Sequence, residues 1–539
     1  MARVGNGAIH LPVRSAIRTP FSGGRNPGPT RGFPMGIRGA AGVRAARGPA
    51  PHGWTVSTAP GGVPLLGHAL PLWRRPLDFL ASLPAHGDLV AIRLGPQRVW
   101  LACDPALVQQ ILMDPRTYDK GGPLYDTMRM VLGNGLVTCT QDVHRRQRRL
   151  AQPCFRPSRI ADYAQVMSAE IDAAVGKWRP GQTLDVTDAM MDLSARVTTG
   201  VLMSTSLDPG LAAEVRACLS TVMRGVLLRA VVPLGPLYRL PTPGNRRFDR
   251  ALARLHHIID GIIAERRGST ARHGDLLDTL LGATDGASGP DGRAVPEGPA
   301  QDCPHATAAP TTQEAPHDQE PLTDQEAHDQ LMTFLVAGIE TTALALAWTL
   351  HLLAAHPEEE RRLHAEVDSV LAGRPPAPDD LPRLGHARRV VTEALRMYPP
   401  GWALTRVTTT ETTLAGHRLA PGSTVLYSAY VLHQDPVAFP DPQRFDPDRW
   451  LPERAGGVPG GAMLPFAAGN RKCIGDHFAM TEAVLVLAAI AARWRLRPPS
   501  PRTVRPVPAA VLSPGPLPMV CASRRGPGGP APAVPSEAP

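Results

Sequence analysis

The segment Phe466-Ala467-Ala468-Gly469-Asn470-Arg471-Lys472-Cys473-Ile474-Gly475 decides the fold, because it places one cysteine in a glycine-containing loop directly before an apolar helical pattern. No second cysteine lies near Cys473, and the seven cysteines of the chain are scattered. A zinc site needs three or four ligands, usually at short spacings. The segment therefore favours a metal that takes a single protein ligand. A buried structural cysteine, the commoner role of a lone thiol, is the alternative.

Haem iron fits this pattern, since it takes one protein ligand on its proximal side and a thiolate there favours cleavage of an O–O bond. Gly469 and Gly475 would let the backbone approach a flat macrocycle. Arg471 would pair with a haem propionate, and Phe466 would shield the sulfur. Backbone amides at the start of the next helix would hold Cys473 as a thiolate.

A long helix is predicted upstream of this loop. Thr323 and Glu326 form a capping box, and the helical pattern then runs to His356-Pro357, over about 32 residues. It is apolar on nearly every face, as in a helix through the middle of a large protein. A membrane span is the rival interpretation, but the uncharged run after Glu340 is only about 15 residues, shorter than a span needs.

This helix contains Ala337-Gly338-Ile339-Glu340-Thr341-Thr342. Burying an acid and two hydroxyls is costly unless they are satisfied or functional. A helix kink, stabilised by threonines that bond back to their own carbonyls, is the structural alternative.

The spacing F-x-x-G-x-R-x-C-x-G at 466–475 and the stretch A-G-x-E-T-T at 337–342 resemble the motifs of the cytochrome P-450 (haem-thiolate) family. Two further matches keep the family order: Glu393-x-x-Arg396, and Arg449 in a Pro-Asp-Arg-Trp stretch. The run at 144–150 resembles the family's W-x-x-x-R helix, with His144 in place of Trp and Arg148 as the arginine. The resemblance covers about Ala59 to Cys521.

The resemblance implies a mainly α fold with small β-sheets, in one large domain with a long central helix over haem b (iron protoporphyrin IX). The metal ligand is then Cys473. The other implied cofactor-binding residues are Arg471, Phe466, Gly469, Gly475, His144, Arg148, Arg406, Ala337 and Gly338. Thr341 would donate a hydrogen bond at the oxygen site, and Glu340 would relay protons for O–O cleavage.

The resemblance assigns Glu393, Arg396 and Arg449 to a buried ionic triad with a folding role. Taken alone, Glu393 and Arg396 are three residues apart on one helix face, and such pairs are common at surfaces, where they contribute little.

Composition sets the domain boundaries. The formal net charge of +9 falls to +1 without the eight arginines of residues 1–55, so no nucleic-acid footprint is expected in the rest of the chain. Residues 1–55 and 524–539 are predicted to be disordered, and 285–322 is predicted to be a flexible insertion in a haem domain at 59–521. An organelle transit peptide is an alternative for the leader. The scattered cysteines predict a reducing cytoplasm.

The implied activity is that of a soluble, monomeric bacterial monooxygenase. No G-x-G-x-x-G unit is found in a strand–helix setting, so electrons would come from an external ferredoxin and its reductase. Arg145, Arg146 and Arg149 would form either a solvated helix face or a docking surface for that carrier.

The expected substrate is small and apolar. The stretch from Pro60 to Pro157 resembles terpene-oxidising bacterial members of the pentalenene oxygenase kind, which implies a sesquiterpene or another terpenoid of secondary metabolism. Oxidation of a fatty acid, steroid or polyketide remains open. A non-catalytic haem sensor and a peroxide-driven enzyme remain as alternatives of other kinds.

Overall fold

The computed structural model describes residues 53–204, 209–231, 238–271, 273–284, 322–501 and 503–524. Almost all of the predicted leader at 1–55, all but the last residue of the insertion at 285–322, and all but the first residue of the tail at 524–539 lie outside the described residues. The predictions about these three segments therefore stay predictions.

Helices make up most of the described chain. They are α1 Ala69–Arg74, α2 Pro76–Ser82, α3 Pro105–Met113, α4 Pro123–Leu132, α5 Gln141–Ala151, α6 Pro157–Val175, α7 Val186–Leu202, α8 Pro209–Val231, α9 Pro243–Gly268, α10 Leu276–Thr284, α11 Asp324–Ala355, α12 Pro357–Leu371, α13 Gly385–Met397, α14 Ala429–Leu432, α15 Pro452–Ala455 and α16 Asp476–Arg493. The prediction of a mainly helical fold with small sheets is confirmed.

The strands are short. They are β1 Val56–Thr58, β2 Leu89–Leu94, β3 Gln97–Ala102, β4 Tyr118–Asp119, β5 Thr183–Asp185, β6 Leu404–Thr408, β7 Thr412–Leu414, β8 His417–Leu419, β9 Thr424–Tyr427, β10 Trp494–Arg497, β11 Val507–Pro508, β12 Leu512–Ser513 and β13 Pro518–Ser523. Six of them form a mixed sheet in the order β1-β2-β3-β9-β6-β4. A second sheet has the order β10-β13-β5, and β7-β8 and β11-β12 are two-stranded.

The six-stranded sheet joins segments that are far apart in sequence. The antiparallel hairpin of β2 and β3 pairs Leu94 with Gln97 at its turn, as the alternating apolar residues predict. Strand β3 then pairs in parallel with β9, which brings the hairpin at 89–102 against the segment after α13. The next helix, α3, begins after Asp104, whose side chain accepts a hydrogen bond from the backbone N–H of Ala106.

Helix α11 lies in the core and packs against α7, α9, α13 and α16. Its capping box is present as predicted, with Thr323 accepting from the Glu326 backbone and the Glu326 side chain accepting in return. By length and mean hydropathy α11 could cross a membrane, yet 83% of its most apolar window is buried inside the protein, as in the core helix of a globular protein.

Two contacts fix the C-terminal half of α11. The rings of Trp348 and Tyr398 stack with centroids 3.8 Å apart, and the Trp348 indole N–H donates to the carbonyl of Leu512 at 3.1 Å. Since the buried indole N–H is satisfied, this large side chain stabilises the core without an unpaired polar group. The result is a rigid α11 that faces the loop before α16.

Candidate active site

A cavity of about 330 Å³ separates α11 from the loop that carries Cys473. Segments from α4, α5, α7, α8, α13, β6 and α16 form much of the rest of its wall. The structure brings most of the residues singled out in the sequence to this one cavity: Phe466, Arg471, Cys473, Gly475, His144, Arg148, Arg406, Ala337, Gly338, Glu340 and Thr341. Gly469 is not part of this wall, and the three residues of the ionic triad lie behind it.

The loop before α16 is folded back on itself. The backbone N–H of Cys473 donates to the carbonyl of Phe466 at 2.9 Å, and Ala467 has a positive φ of 56°. Gly469 also has a positive φ, 67°, and a Cβ at this position would lie 2.2 Å from the carbonyl oxygen of Leu112 in α3. Gly469 was expected to face a macrocycle, but its glycine requirement comes from the backbone of α3.

The side chain of Cys473 is exposed, and it lies on the cavity wall. The surrounding protein nevertheless keeps bulk water away, which raises the pKa of the thiol. A hydrogen bond from the backbone N–H of Gly475, and the charges of Arg148 and Lys120, act in the opposite direction. A bound metal cation is the further charge that would keep this sulfur deprotonated.

Helix α11 places an acid and an alcohol across the cavity from this sulfur. The Thr341 hydroxyl donates to the carbonyl of Ala337 at 2.7 Å, the back-bonded arrangement considered for this stretch. Glu340 is buried, and its Oε2 has no hydrogen-bond partner among the described residues. Burial raises the pKa of the Glu340 carboxyl to about 8, so the acid is protonated at neutral pH.

Gly338 serves a packing contact as well as lining the cavity. A Cβ at this position would lie 2.9 Å from the methyl group of Thr198 in α7. The glycine therefore permits close contact between α11 and α7, a constraint that the sequence did not reveal.

Arg471 is held by three partners on one side of the cavity. It donates to Asp119 at 2.7 Å, to the carbonyl of Cys139 at 3.0 Å and to the side chain of Gln141 at 3.1 Å. The Arg471–Asp119 ion pair is almost fully buried, so these contacts fix the guanidinium rigidly.

Lys120 was missed by the sequence analysis, although it lies next to Arg471 on the same wall. Its buried ammonium donates to the carbonyl of Val137 at 2.8 Å and lies over the ring of Tyr125. Burial, followed by the charges of Arg406 and Arg471, lowers the pKa of Lys120 well below its usual value. The two arginines therefore place like charge near this ammonium.

Arg406 completes this basic group from β6. Its Nη1 donates to the carbonyl of Thr405 at 2.8 Å and to the Tyr125 hydroxyl at 3.4 Å. Its guanidinium also lies over the ring of Tyr427 in β9, at 5.5 Å from the centroid. The described structure gives this buried cation aromatic and neutral partners only, which leaves its charge available to a bound anion.

Helix α5 contributes His144 and Arg148, one turn apart. Burial and the charges of Arg471, Lys120 and Arg148 lower the pKa of His144 to about 2, so the imidazole is neutral. A neutral imidazole still carries one N–H donor, which suits the predicted role in place of Trp. Arg148 donates to the carbonyl of Lys472 at 2.7 Å and so ties α5 to the Cys473 loop.

The cavity wall therefore has more positive than negative charge. The basic residues on it are Lys120, Arg148, Arg406, Arg471 and Lys472, and Glu340 is the one carboxylic acid that the described residues contribute to the wall, where it is neutral. Carboxylates outside the wall pair with two of the five, Asp119 with Arg471 and Asp476 with Lys472, so the excess comes from Lys120, Arg148 and Arg406. A bound group that carries two carboxylates would balance this excess, because buried charges need partners. Haem has two propionates, so the donor set and the accessible sulfur both fit it.

The predicted triad forms a buried ionic cluster behind the cavity. Arg396 donates twice to the Glu393 carboxylate, at 2.8 and 2.9 Å, and Arg449 approaches it at 3.5 Å. The indole N–H of Trp450 also donates to Glu393, at 2.9 Å. Trp450 was not predicted as a partner, and it helps satisfy a carboxylate that has no contact with water.

His433 connects this cluster to the Cys473 loop. Its Nε2 accepts from the backbone N–H of Leu464 at 2.9 Å, so its Nδ1 carries the proton donated to the carbonyl of Arg396 at 3.0 Å. Burial and the charge of Arg396 lower the pKa of His433 to about 3, which keeps the ring neutral in this bridging role.

Lysine usage is one signal that would have identified Lys120. The chain has only three lysines, Lys120, Lys177 and Lys472, beside 54 arginines. Two of these three lysines line the cavity. Because almost all basic residues of this chain other than histidine are arginines, its few lysines are candidates for site residues.

The accessible Cys473 thiol and the basic wall fit a haem-thiolate protein. A sequence model of the family described as Cytochrome P450 matches residues 58–522, so the chain belongs to this family. It is a monooxygenase with haem as cofactor. Bacterial members of the family take electrons from ferredoxin-type partners and bind small substrates.

The chain is also similar to characterised bacterial enzymes. It is 51% identical to cyclooctat-9-en-7-ol 5-monooxygenase of Streptomyces melanosporofaciens over 91% of this chain and 100% of the relative. It is 50% identical to cyclooctatin synthase of the same organism, over 89% and 98% of the two chains. Identity to pentalenene oxygenase of Streptomyces avermitilis is 42%, over 86% and 96%.

Proposed function

We propose that this monooxygenase hydroxylates an apolar terpenoid of bacterial secondary metabolism, with O2 and two electrons from an external ferredoxin and its reductase. The observation that carries the proposal is the single cavity shared by Cys473, Glu340 and Thr341. Outside the basic wall and the acid–alcohol pair, its lining is almost entirely apolar, which favours a hydrocarbon skeleton. The named relatives are terpene oxygenases, and this supports the terpenoid class.

Cys473 would hold the haem iron, while Lys120, Arg406, Arg471, Arg148 and His144 would hold the propionates. When bound, haem supplies the activation of O2 and the transfer of one oxygen atom to a C–H bond. The buried ion pair of Arg471 fixes one end of the propionate wall, and the Arg148 contact holds α5 against the Cys473 loop. This preorganised wall would orient the cofactor without rearrangement.

Proton delivery is the role proposed for Glu340 and Thr341. The neutral carboxyl of Glu340 can release a proton from Oε2, an atom that makes no hydrogen bond to any described residue. The Thr341 hydroxyl now donates to Ala337, and a rotation of its side chain would let it donate into the cavity instead. Reprotonation of Glu340 then resets the acid for the next turnover.

The electron carrier would dock where α5 meets the Cys473 loop. Arg145 and Arg149 are exposed on α5, Lys472 is exposed beside them, and Arg148 links the two segments. An acidic ferredoxin would be steered to this basic surface close to the sulfur. We also propose that the protein is a monomer, that it is located in the cytoplasm, and that residues 59–521 form its catalytic domain.

A product screen tests the proposal. Purified holoenzyme with ferredoxin, ferredoxin reductase and NADPH would be incubated with pentalenene, cyclooctat-9-en-7-ol, lauric acid, progesterone and a macrolide, and products analysed by mass spectrometry. We expect addition of one oxygen atom to a terpenoid. Oxidation of only the fatty acid, steroid or macrolide would contradict the substrate class. Turnover with hydrogen peroxide alone would indicate a peroxide-driven enzyme, and no NADPH consumption with any compound would indicate a sensor.

A further inference from the structure

Asp119 is a buried carboxylate next to the basic wall of the cavity. It ends strand β4, it is only 7% exposed, and it is not itself part of the wall. Two residues of the wall adjoin it, since Lys120 follows it in the chain and Arg471 donates to its Oδ1 at 2.7 Å. A carboxylate in such a place is costly unless its partners compensate for the lost contact with water.

This carboxylate joins segments that are far apart in the sequence. Besides the bond from Arg471 in the loop before α16, Oδ1 accepts from the backbone N–H of Lys120 at 2.7 Å. Oδ2 accepts from the backbone N–H of Gln141, the first residue of α5, at 2.8 Å. Asp119 itself is held in the six-stranded sheet, where it pairs with Val407 of β6. One side chain therefore fixes the loop before α16 and the start of α5 against the edge of the sheet.

Arg471 is oriented by a closed ring of hydrogen bonds that includes this carboxylate. The side chain of Gln141 accepts from Arg471 Nε at 3.1 Å, while its backbone N–H donates to Asp119. The carbonyl and sulfur of Cys139 lie within reach of Arg471 Nη1, at 3.0 and 3.8 Å. Among the described residues these partners leave at least one of the five N–H groups of Arg471 for a bound anion. Because the guanidinium is held in one orientation, an anion that it binds is held in one place.

The charge of Asp119 offsets part of the positive charge around the wall. Its ion pair with Arg471 is almost fully buried, so solvent ions screen it little. Burial and the charges of Arg406 and Arg471 lower the pKa of Lys120, and the charge of Asp119 opposes that shift. A neutral side chain at this position would leave one more uncompensated cation beside a bound haem. An added positive charge favours the ferrous state, because reduction adds one negative charge to the haem.

We propose that Asp119 is a positioning residue for the haem propionates, which acts through Arg471, and that its charge keeps the reduction potential of the haem low. The inference rests on the propionate-binding role proposed for Arg471, and it does not depend on the terpenoid substrate. An ion pair that serves the fold alone is the rival interpretation. The two interpretations differ in the haem potential, which a role in folding alone would leave unchanged.

Two conservative variants of the holoenzyme test the proposal. Asp119→Asn removes the charge and keeps the shape, whereas Asp119→Glu keeps the charge and displaces the carboxylate. The midpoint potential would be measured by spectroelectrochemical titration, and haem retention by the rate of haem transfer to apomyoglobin.

The two variants should differ in potential. We expect Asp119→Asn to shift the ferric–ferrous equilibrium about tenfold toward the ferrous state, which is about 59 mV for a one-electron couple. Asp119→Glu should keep the wild-type potential. Haem transfer should be about tenfold faster in both variants, because each disturbs a hydrogen bond to the charged Arg471.

Asp380→Asn is the matched control. Asp380 is another buried aspartate that pairs with arginines, Arg374 and Arg383, but neither it nor its partners belong to the cavity wall. The control substitution should lower the free energy of unfolding. It should leave the haem potential and the rate of haem transfer at their wild-type values.

Three results would overturn the inference: a wild-type potential in Asp119→Asn, an equal shift in Asp380→Asn, or haem transfer at the wild-type rate in Asp119→Glu. If the Asn variant holds no haem, the transfer rate of the Glu variant decides. None of these results touches the terpenoid function, because its products are assayed with the wild type. A folded wild type that binds no haem would instead overturn the haem site itself.

Discussion

The proposed chemical role of Glu340 depends on the protonation state that its surroundings impose. Burial raises the pKa of its carboxyl to about 8, while no described residue accepts or donates at its Oε2. Below pH 8 the side chain is therefore an acid with a proton to give, and above pH 8 it becomes a buried anion. The sequence could place an acid in the central helix, but only the packing around it shows that it is neutral at pH 7.

Replacing Glu340 with Gln removes the proton and keeps the shape. We expect product formed per NADPH consumed to fall by about 10²-fold at pH 7, because an amide cannot act as a general acid. In the wild type the same ratio should decline as pH rises above about 8, the pKa of Glu340, and in Glu340→Gln it should be independent of pH in that range. The measurement is NADPH consumption beside product quantification from pH 6 to 9.

Glu482 provides a matched control. It is a second buried carboxyl with its pKa raised to about 8, but it lies in α16, accepts a hydrogen bond from Ser194 at 2.7 Å and is not part of the cavity wall. Glu482→Gln should leave product coupling unchanged. The folded protein binds a proton at Glu482 that the unfolded chain releases above about pH 4.5, so this variant should lose less stability between pH 4.5 and 8. Equal loss of coupling in both variants would refute the role of Glu340.

At the scale of elements, α13 and the Cys473 loop are joined by the ionic cluster of Glu393. The carboxylate accepts from Arg396, Arg449 and Trp450, and His433 carries the connection on to Leu464. The pattern of α13 and the positions of the charged residues were visible in the sequence. Trp450 and His433 were not, because their roles depend on a loop of no regular periodicity that folds back onto α13.

Removing the Glu393 carboxylate should leave two buried guanidinium groups without an anion. We expect Glu393→Ala to lower the free energy of unfolding by about 3–5 kcal/mol and to reduce haem content, since the cluster positions the loop before Cys473. The measurements are urea unfolding and the ratio of haem to protein absorbance. Glu358→Ala breaks an exposed pair with Arg361 and should cost less than about 1 kcal/mol. Similar effects of the two substitutions would contradict the account.

Local features were the most predictable part of the elements. The capping box of α11 depends on neighbouring residues and was predicted correctly. Glycine is required at 469 because of Leu112, which lies hundreds of residues earlier in the chain. Glycine is required at 338 because of Thr198, which lies well over a hundred residues earlier. Contacts of that kind leave no periodic pattern in a single sequence.

At the scale of the whole molecule, positively charged side chains from separate segments meet at the cavity wall. The positive residues that line the cavity come from β4 and its flank, α5, β6 and the Cys473 loop, so no single segment reveals them as a group. The sequence nevertheless predicted most of them through their motifs. Lys120 was missed because it belongs to none of the motifs considered.

Charge reversal on α5 tests the proposed docking surface. Arg145→Glu combined with Arg149→Glu should slow reduction of the holoenzyme by an acidic ferredoxin about tenfold at low salt, and the difference should shrink as ionic strength rises. Stopped-flow reduction rates are the measurement. Arg418→Glu, on β8, reverses a side chain that is 78% exposed and should have no effect. Equal rates for all three proteins at low salt would exclude this docking site.

The central claim is that the sulfur of Cys473 binds haem iron inside the cavity it shares with Glu340 and Thr341. The direct measurement is the absorbance spectrum of the dithionite-reduced protein under carbon monoxide, for the wild type and for Cys473→Ser with equal haem content. We predict the long-wavelength maximum of thiolate-ligated haem in the wild type and its loss in Cys473→Ser. A folded, haem-containing wild type without that maximum, or a Cys473→Ser variant that keeps it, would contradict the account.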